Sequence, residues 1–236
     1  MAIVYSANVD AGFESAILDG AATLGASDPR ELLVILFAES SVTHTADLHL
    51  TKADGSLGAR FVGINQFWFN PNGQDTFKKA VPDMGPDAYL SLPASVQLRF
   101  YVVPFWAAMR QQHGPEATTN ARNLYWLNFY PSTFVPNAPD SFIVTGEPSV
   151  IKANPLLANG KPYITAGDLS RFLIHRQKQE PHRWNELLDR VESAMGLRPD
   201  VLGTIFNPSP RKAAVGLGLF LAVGAGAAYA LTRKGT

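Results

Sequence analysis

One stretch restricts the architecture of this chain more than any other. From Ala213 to Leu231 there is no charged side chain, and Tyr229 is the single polar one. About 20 apolar residues in a helix span the hydrocarbon core of a bilayer. Arg211 and Lys212 precede the stretch, and Arg233 and Lys234 follow it. Such residues reach headgroups from the ends of a span. The pattern predicts a transmembrane helix over 213–231, with the lipid bilayer as its partner. Residues 197–212, which include Pro199, Pro208 and Pro210, read as the linker before it. Gly218, Ala222 and Gly226 fall on one helix face, which permits close approach of a second helix in lipid. The basic flanks are balanced and give no orientation.

The rest of the chain, residues 1–196, has the composition of a folded domain. Of the whole sequence, 46% is apolar and 17% charged, too little charge for a disordered chain. The formal net charge of zero gives no broad basic surface for nucleic acid. With no cysteine, a disulfide framework and a thiolate metal site are excluded. Met1 to Asp10 has neither a basic start nor a long apolar run, so it does not read as a secretory signal.

Hydrophobic spacing predicts a mainly α domain. Phe13, Ala16, Ile17, Ala21 and Leu24 recur at helical intervals over 11–25. Ser27, Asp28 and Pro29 form a helix start, and the apolar run Glu31 to Ala38 follows as a buried helix ending near Glu39-Ser40-Ser41. Asp54-Gly55 signals the turn of a small β-hairpin. A short helix is expected over 75–80. A longer one should run from Ser95 to Gln112, with Pro104 kinking or breaking it, and another over 115–130. The region from Pro136 to Glu147 is loop-rich. Thr165 and Asp168 make a capping-box variant ahead of a helix to about 178. A last amphipathic helix covers 182–196.

Glu39 is the candidate acid. A carboxyl closing an apolar helix is partly desolvated, which disfavours its charged form and raises its pKa. A general acid working near neutral pH needs that shift. Downstream come Gly63-Ile64-Asn65-Gln66 and the aromatic group Phe67, Trp68 and Phe69. A later helix carries Leu124-Tyr125-Trp126-Leu127-Asn128-Phe129-Tyr130-Pro131.

A glutamate-serine pair at a helix end, then Gly-x-x-Gln with an aromatic, resembles the goose-type lysozyme and lytic transglycosylase family. The third segment resembles the looser form found in phage members, as do Ile151 to Pro155 and Asn159 to Thr165. The resemblance covers roughly residues 25–180. It implies a lysozyme-like α+β fold with one small hairpin and peptidoglycan glycan strands as substrate. It implies that Glu39 protonates the oxygen between N-acetylmuramic acid and N-acetylglucosamine. The same carboxylate then takes the proton of the muramic C6 hydroxyl, which closes a 1,6-anhydro ring. Ser40 would contact substrate or hold the acid. Gln66 and the backbone of Gly63 and Ile64 would bind sugar amides. Tyr125 or Asn128 would occupy the sugar-contacting position, and the aromatics 67–69 and Trp126 would stack on sugars or pack in the core.

No metal or other cofactor is implied. His44 and His49 read as surface or loop residues. Asp47 and Asp54 are the candidates for the second carboxylate that a hydrolase of this superfamily uses to hold water. Asp54 is explained by its turn and Asp47 follows no defensible pattern, so the lyase is preferred over a muramidase. The expected setting is a phage virion membrane or the host envelope after delivery, with a second copy or other virion proteins against the tail. The non-enzymatic alternative is a wall-binding or membrane-conduit component that keeps the fold as scaffold.

Overall fold

The computed structural model describes residues 9–43, 46–51, 57–70 and 75–196. Helix α1 (Phe13–Leu24) buries Phe13, Ala16, Ile17, Ala21 and Leu24 on one face and ends at Gly25, whose φ of 64° is left-handed. Helix α2 (Arg30–Ser40) begins where the Asp28 carboxylate accepts the Arg30 N–H at 2.9 Å. It is buried nearly all round, from Leu32 to Glu39 apart from Val34.

Strands β1 (Asp47–Thr51), β2 (Leu57–Val62) and β3 (Phe67–Phe69) form an antiparallel sheet in that order. The expected hairpin is therefore one half of a three-stranded sheet. Its Asp54-Gly55 turn lies outside the described residues. The second half is closed by Gly63-Ile64-Asn65-Gln66, where the Gln66 N–H donates to the Gly63 carbonyl at 3.0 Å. Phe61 pairs with Trp68 in the register, their rings 5.1 Å apart.

Helix α3 (Thr76–Ala80) is capped by Asp75, which accepts the Lys78 N–H. Helices α4 (Pro86–Leu90), α5 (Ala94–Gln97) and α6 (Val103–His113) follow, with a π-helical turn, Leu98–Val102, joining the last two. Pro104 thus does not break the predicted helix. A widened turn just before it accommodates the ring and the missing N–H. The helix expected over 115–130 is split into a 3₁₀ turn, Pro115–Thr118, and α7 (Ala121–Phe129). Asn120 makes the division by accepting the Asn123 N–H at 3.0 Å.

Strands β4 (Ile143–Thr145) and β5 (Ile164–Thr165) pair antiparallel around α8 (Pro148–Ala153) and α9 (Pro155–Ala158). Helix α10 (Ala166–Gln179) carries the Thr165–Asp168 capping box, and α11 (Pro181–Ala194) ends the described chain near Gly196. One apolar core runs through these elements. Helices α1, α7, α10 and α11 all pack on α2, which puts Glu39 at the centre.

Two parts of the predicted fold class are corrected. Among the described residues there are two small sheets, not one hairpin. The transmembrane helix of the predicted fold class is not among the elements found: among the described residues no helix is long and apolar enough to cross a membrane. The longest helices, α10 and α11, carry several charged side chains (Arg171, Arg176 and Lys178; Arg183, Glu186 and Arg190). The linker 197–212 and the stretch 213–231 lie outside the described residues.

Gly63 is the position on which the site's second wall depends. Its φ is +80°, and a Cβ there would sit 2.2 Å from Tyr89 Cε1 and 2.8 Å from Gln97 Oε1. The left-handed backbone and the overlap each cost an L-residue about 1–3 kcal/mol. Gly63→Ala is expected to lower Tm by roughly 5–15 °C in thermal unfolding followed by circular dichroism. An unchanged Tm would show that this turn is not fixed as described.

Candidate active site

The site starts from α2. Glu39 sits in its last turn, 6% exposed, with Oε1 buried and without a hydrogen-bond partner among the described atoms. Burial pushes its pKa up to about 8, while the Asn128 amide and the Arg176 guanidinium act the other way. The helix C-terminus adds to the effect, because its carbonyls point negative charge toward an acid there. At neutral pH the carboxyl therefore keeps its proton.

Glu39 opens on a narrow cleft of about 30 Å³. Its walls are Asn65, Gln66, Phe67 and Trp68 from the sheet side, Thr76 from α3, Phe105 and Met109 from α6, and Leu127, Asn128 and Pro131 at the end of α7. Three amides are set in this wall by hydrogen bonds behind them. Trp106 Nε1 donates to Asn128 Oδ1 at 3.1 Å, and Asn128 Nδ2 donates to Asn65 Oδ1 at 3.0 Å. Gln66 Nε2 donates to the Gly63 carbonyl at 3.2 Å, which fixes the amide orientation. Its Oε1 is left buried and unpartnered. A buried acceptor without a donor costs free energy, so it is poised for an N–H from outside.

The predicted site residues divide into two groups. Glu39, Gln66 and Asn128 line the cleft. Ser40, Gly63, Ile64 and Tyr125 lie behind it. Ser40 Oγ donates to the Ile64 carbonyl at 2.9 Å, tying the end of α2 to the turn. The Ile64 N–H donates to Gln97 Oε1 at 3.1 Å, and the Gly63 N–H to the Ala46 carbonyl at 2.9 Å. Those backbone donors are engaged inside the protein. Tyr125 is stacked between Phe129 and Phe172, with ring centroids at 6.2 and 5.2 Å. Burial and then the Glu39 charge hold its hydroxyl well above its ordinary pKa.

Of the aromatics, Phe67 and Trp68 face the cleft. Phe69 packs edge-on against Phe77, and Trp126 is fully buried with its indole N–H on Thr133. Asp47 is held by Arg60 at 2.6 Å and by His49 at 3.1 Å, away from the cleft lining. His44 and Asp54 lie outside the described residues. Among those described, Glu39 is the one carboxyl in the lining, and no cluster of acidic, histidine or cysteine side chains is arranged to hold a metal.

Several contributors escaped the sequence reading. Asn65 lay inside the Gly-x-x-Gln segment but offered no chemistry of its own until Asn128 met it. Phe105, Trp106 and Met109 showed only helical spacing. Arg176, whose charge reaches Glu39 from α10, gave no local signal at all. Comparison with family models, with curated proteins and with solved structures finds no match for this chain.

The raised pKa makes a stability prediction. The folded carboxyl holds its proton to about pH 8, against an ordinary value of 4.5. The folded state therefore binds more protons than the unfolded state between those limits, and stability falls as pH rises through them. Glu39→Gln removes that dependence. The variant should match the wild type near pH 5 and exceed it at pH 8 by on the order of 2–4 kcal/mol. Urea unfolding at both pH values measures this, and equal gaps at the two would contradict the burial argument.

Proposed function

We propose that this chain is a peptidoglycan lytic transglycosylase, a glycan-strand lyase with a lysozyme-like arrangement of helices and sheet. The observation that supports it most is a lone carboxyl in a cleft, buried enough to stay protonated at neutral pH. Most glycosidases need a second carboxylate to activate water or to attack the sugar. An intramolecular nucleophile removes that need.

The chemistry then runs through one residue. Glu39 gives its proton to the glycosidic oxygen as the bond from the muramic C1 breaks, and the N-acetylglucosamine side leaves as an alcohol. The Glu39 carboxylate next accepts the proton of the C6 hydroxyl, whose oxygen bonds to C1. The ring closes and the acid is regenerated, with no water consumed. Gln66 Oε1 accepts an acetamido N–H, and Asn128 orients the sugar beside the acid. Phe67, Trp68 and Phe105 supply apolar faces for sugar rings. The phage-like segments downstream of α7 favour a virion protein that opens the wall locally during entry, a reading by analogy.

Digestion of purified peptidoglycan followed by mass spectrometry is the test. Products with 1,6-anhydromuramic ends are expected, whereas reducing muramic ends would replace the lyase with a muramidase. Glu39→Gln should lower kcat about 1,000-fold, the scale of a lost general acid. The wild-type kcat/KM should fall as pH rises through about 8, because the proton to be donated is then gone. Wall binding without any cleavage would favour a non-enzymatic role.

A further inference from the structure

The chain just after Glu39 is held in an unusual way. Ser41 and Val42 both adopt left-handed backbone, with φ of 54° and 53°. A β-branched residue in that region is a genuine outlier, and two in succession persist only where the surroundings hold them. Two arginines from the last helices do the holding. Arg176 of α10 donates through Nε to the Ala38 carbonyl at 2.8 Å and through a terminal nitrogen to Ser41 Oγ at 3.4 Å. Ser41 Oγ in turn donates to Glu180 Oε1 at 2.6 Å. Arg183 of α11 donates to the Ser41 and Val42 carbonyls at 3.4 and 3.3 Å. Arg176 thus grips the residue before the acid and a residue two beyond it.

The reaction proposed above asks opposite things of Glu39. It must be neutral at first and a stable carboxylate a moment later, when it awaits the C6 proton. A buried anion without a counter-charge is costly. Resting on that reading, we propose that Arg176 is the positioning residue for Glu39: it fixes the helix end that carries the acid and supplies the cation beside which its anionic form can serve as base. Its guanidinium is drawn to Ala38 and Ser41, so the carboxyl is not locked into a close ion pair and remains free to hold a proton. Several other ionisable groups on the elements packed around the acid are engaged elsewhere. Tyr125 of α7 is stacked and resists ionisation. Glu180 faces Ser41 and Arg176, and Arg183 faces the carbonyls and Glu186. On α1, Glu14 and Asp19 pair with Arg190 and Arg99. On α11, Glu192 pairs with Arg30.

The experiment compares Arg176→Gln and Arg176→Lys with the wild type, by peptidoglycan kinetics across pH and by carboxyl-carbon NMR titration of Glu39 in protein labelled at glutamate. In Arg176→Gln, kcat should fall about 100-fold with KM changed less than about twofold, as expected when a reacting group is misplaced. The Glu39 titration, and with it the alkaline limb of activity, should move up by about one pH unit, since the opposing cation is gone. Arg176→Lys keeps the charge and should hold the titration near the wild-type position while recovering part of kcat. An unmoved Glu39 titration in Arg176→Gln overturns the proposal, as does a lysine variant no better than glutamine in both readouts. If Arg176→Gln does not fold, a wild-type-like titration in Arg176→Lys supports the proposal and one shifted upward overturns it. The NMR readout needs no turnover. A shifted titration in a protein that cleaves no peptidoglycan would therefore retain the positioning role and reject the transglycosylase.

Discussion

Glu39 sits in the last turn of a helix that is apolar on almost every face, and packing around α2 leaves its carboxyl little contact with bulk water except through the cleft. Everything else at the site answers to that burial. Desolvation of a carboxylate competes with two stabilising influences, the Asn128 amide and the Arg176 charge, and desolvation wins. The outcome follows from geometry. Arg176 spends its strongest hydrogen bond on a backbone carbonyl, so it acts on the acid as a nearby charge and not as a bonded partner. A close bidentate pair would have pulled the pKa below the ordinary carboxylate range and ended any role as an acid at neutral pH.

The second wall is built to the same end by different means. The turn between β2 and β3 must bring Gln66 against the acid, and three contacts fix it: Ser40 on the Ile64 carbonyl, Gln97 on the Ile64 N–H, and Tyr89 filling the space that a side chain at 63 would need. Gln97 itself is anchored through Nε2 to the Tyr89 and Leu92 carbonyls. The positive φ of Gln66, 48°, belongs to this arrangement. A backbone state that disfavours most side chains is held here because it aims the amide into the cleft.

How much of this the sequence disclosed depended on how local the signal was. Helices α1, α2 and α10 were legible because each announces itself over a few neighbouring residues, through apolar spacing or a capping box. Strands β3, β4 and β5 were not, since two or three residues have no period and gain their partners only through the fold. The same rule divides the site. Glu39 and Gln66 stood in recognisable contexts. Tyr125 and Asn128 were left as alternatives because the third segment matches the family pattern only loosely, and only packing tells which reaches the cleft. Phe172 stacks on Tyr125 and takes it into the core, while Trp106 turns Asn128 toward Asn65. Arg176 acts across 138 residues of sequence, a relation no local pattern carries.

These features also set the site against the stability of the fold that holds it. An unpartnered carboxyl oxygen, an unpartnered Gln66 oxygen and three left-handed non-glycine residues, Ser41, Val42 and Gln66, are each unfavourable. Backbone strain alone costs of order 1–3 kcal/mol per residue. They sit together in one small region, and that region adjoins the part of the core where α1, α7, α10 and α11 converge on α2. A loop on the surface could not hold such an arrangement, because it would relax toward water and ordinary backbone angles. The placement of the acid on a helix packed on nearly every side is therefore what allows a strained, half-satisfied site to persist. The same burial gives the acid its proton, so a more exposed Glu39 would lose both its chemistry and the framework that aims it.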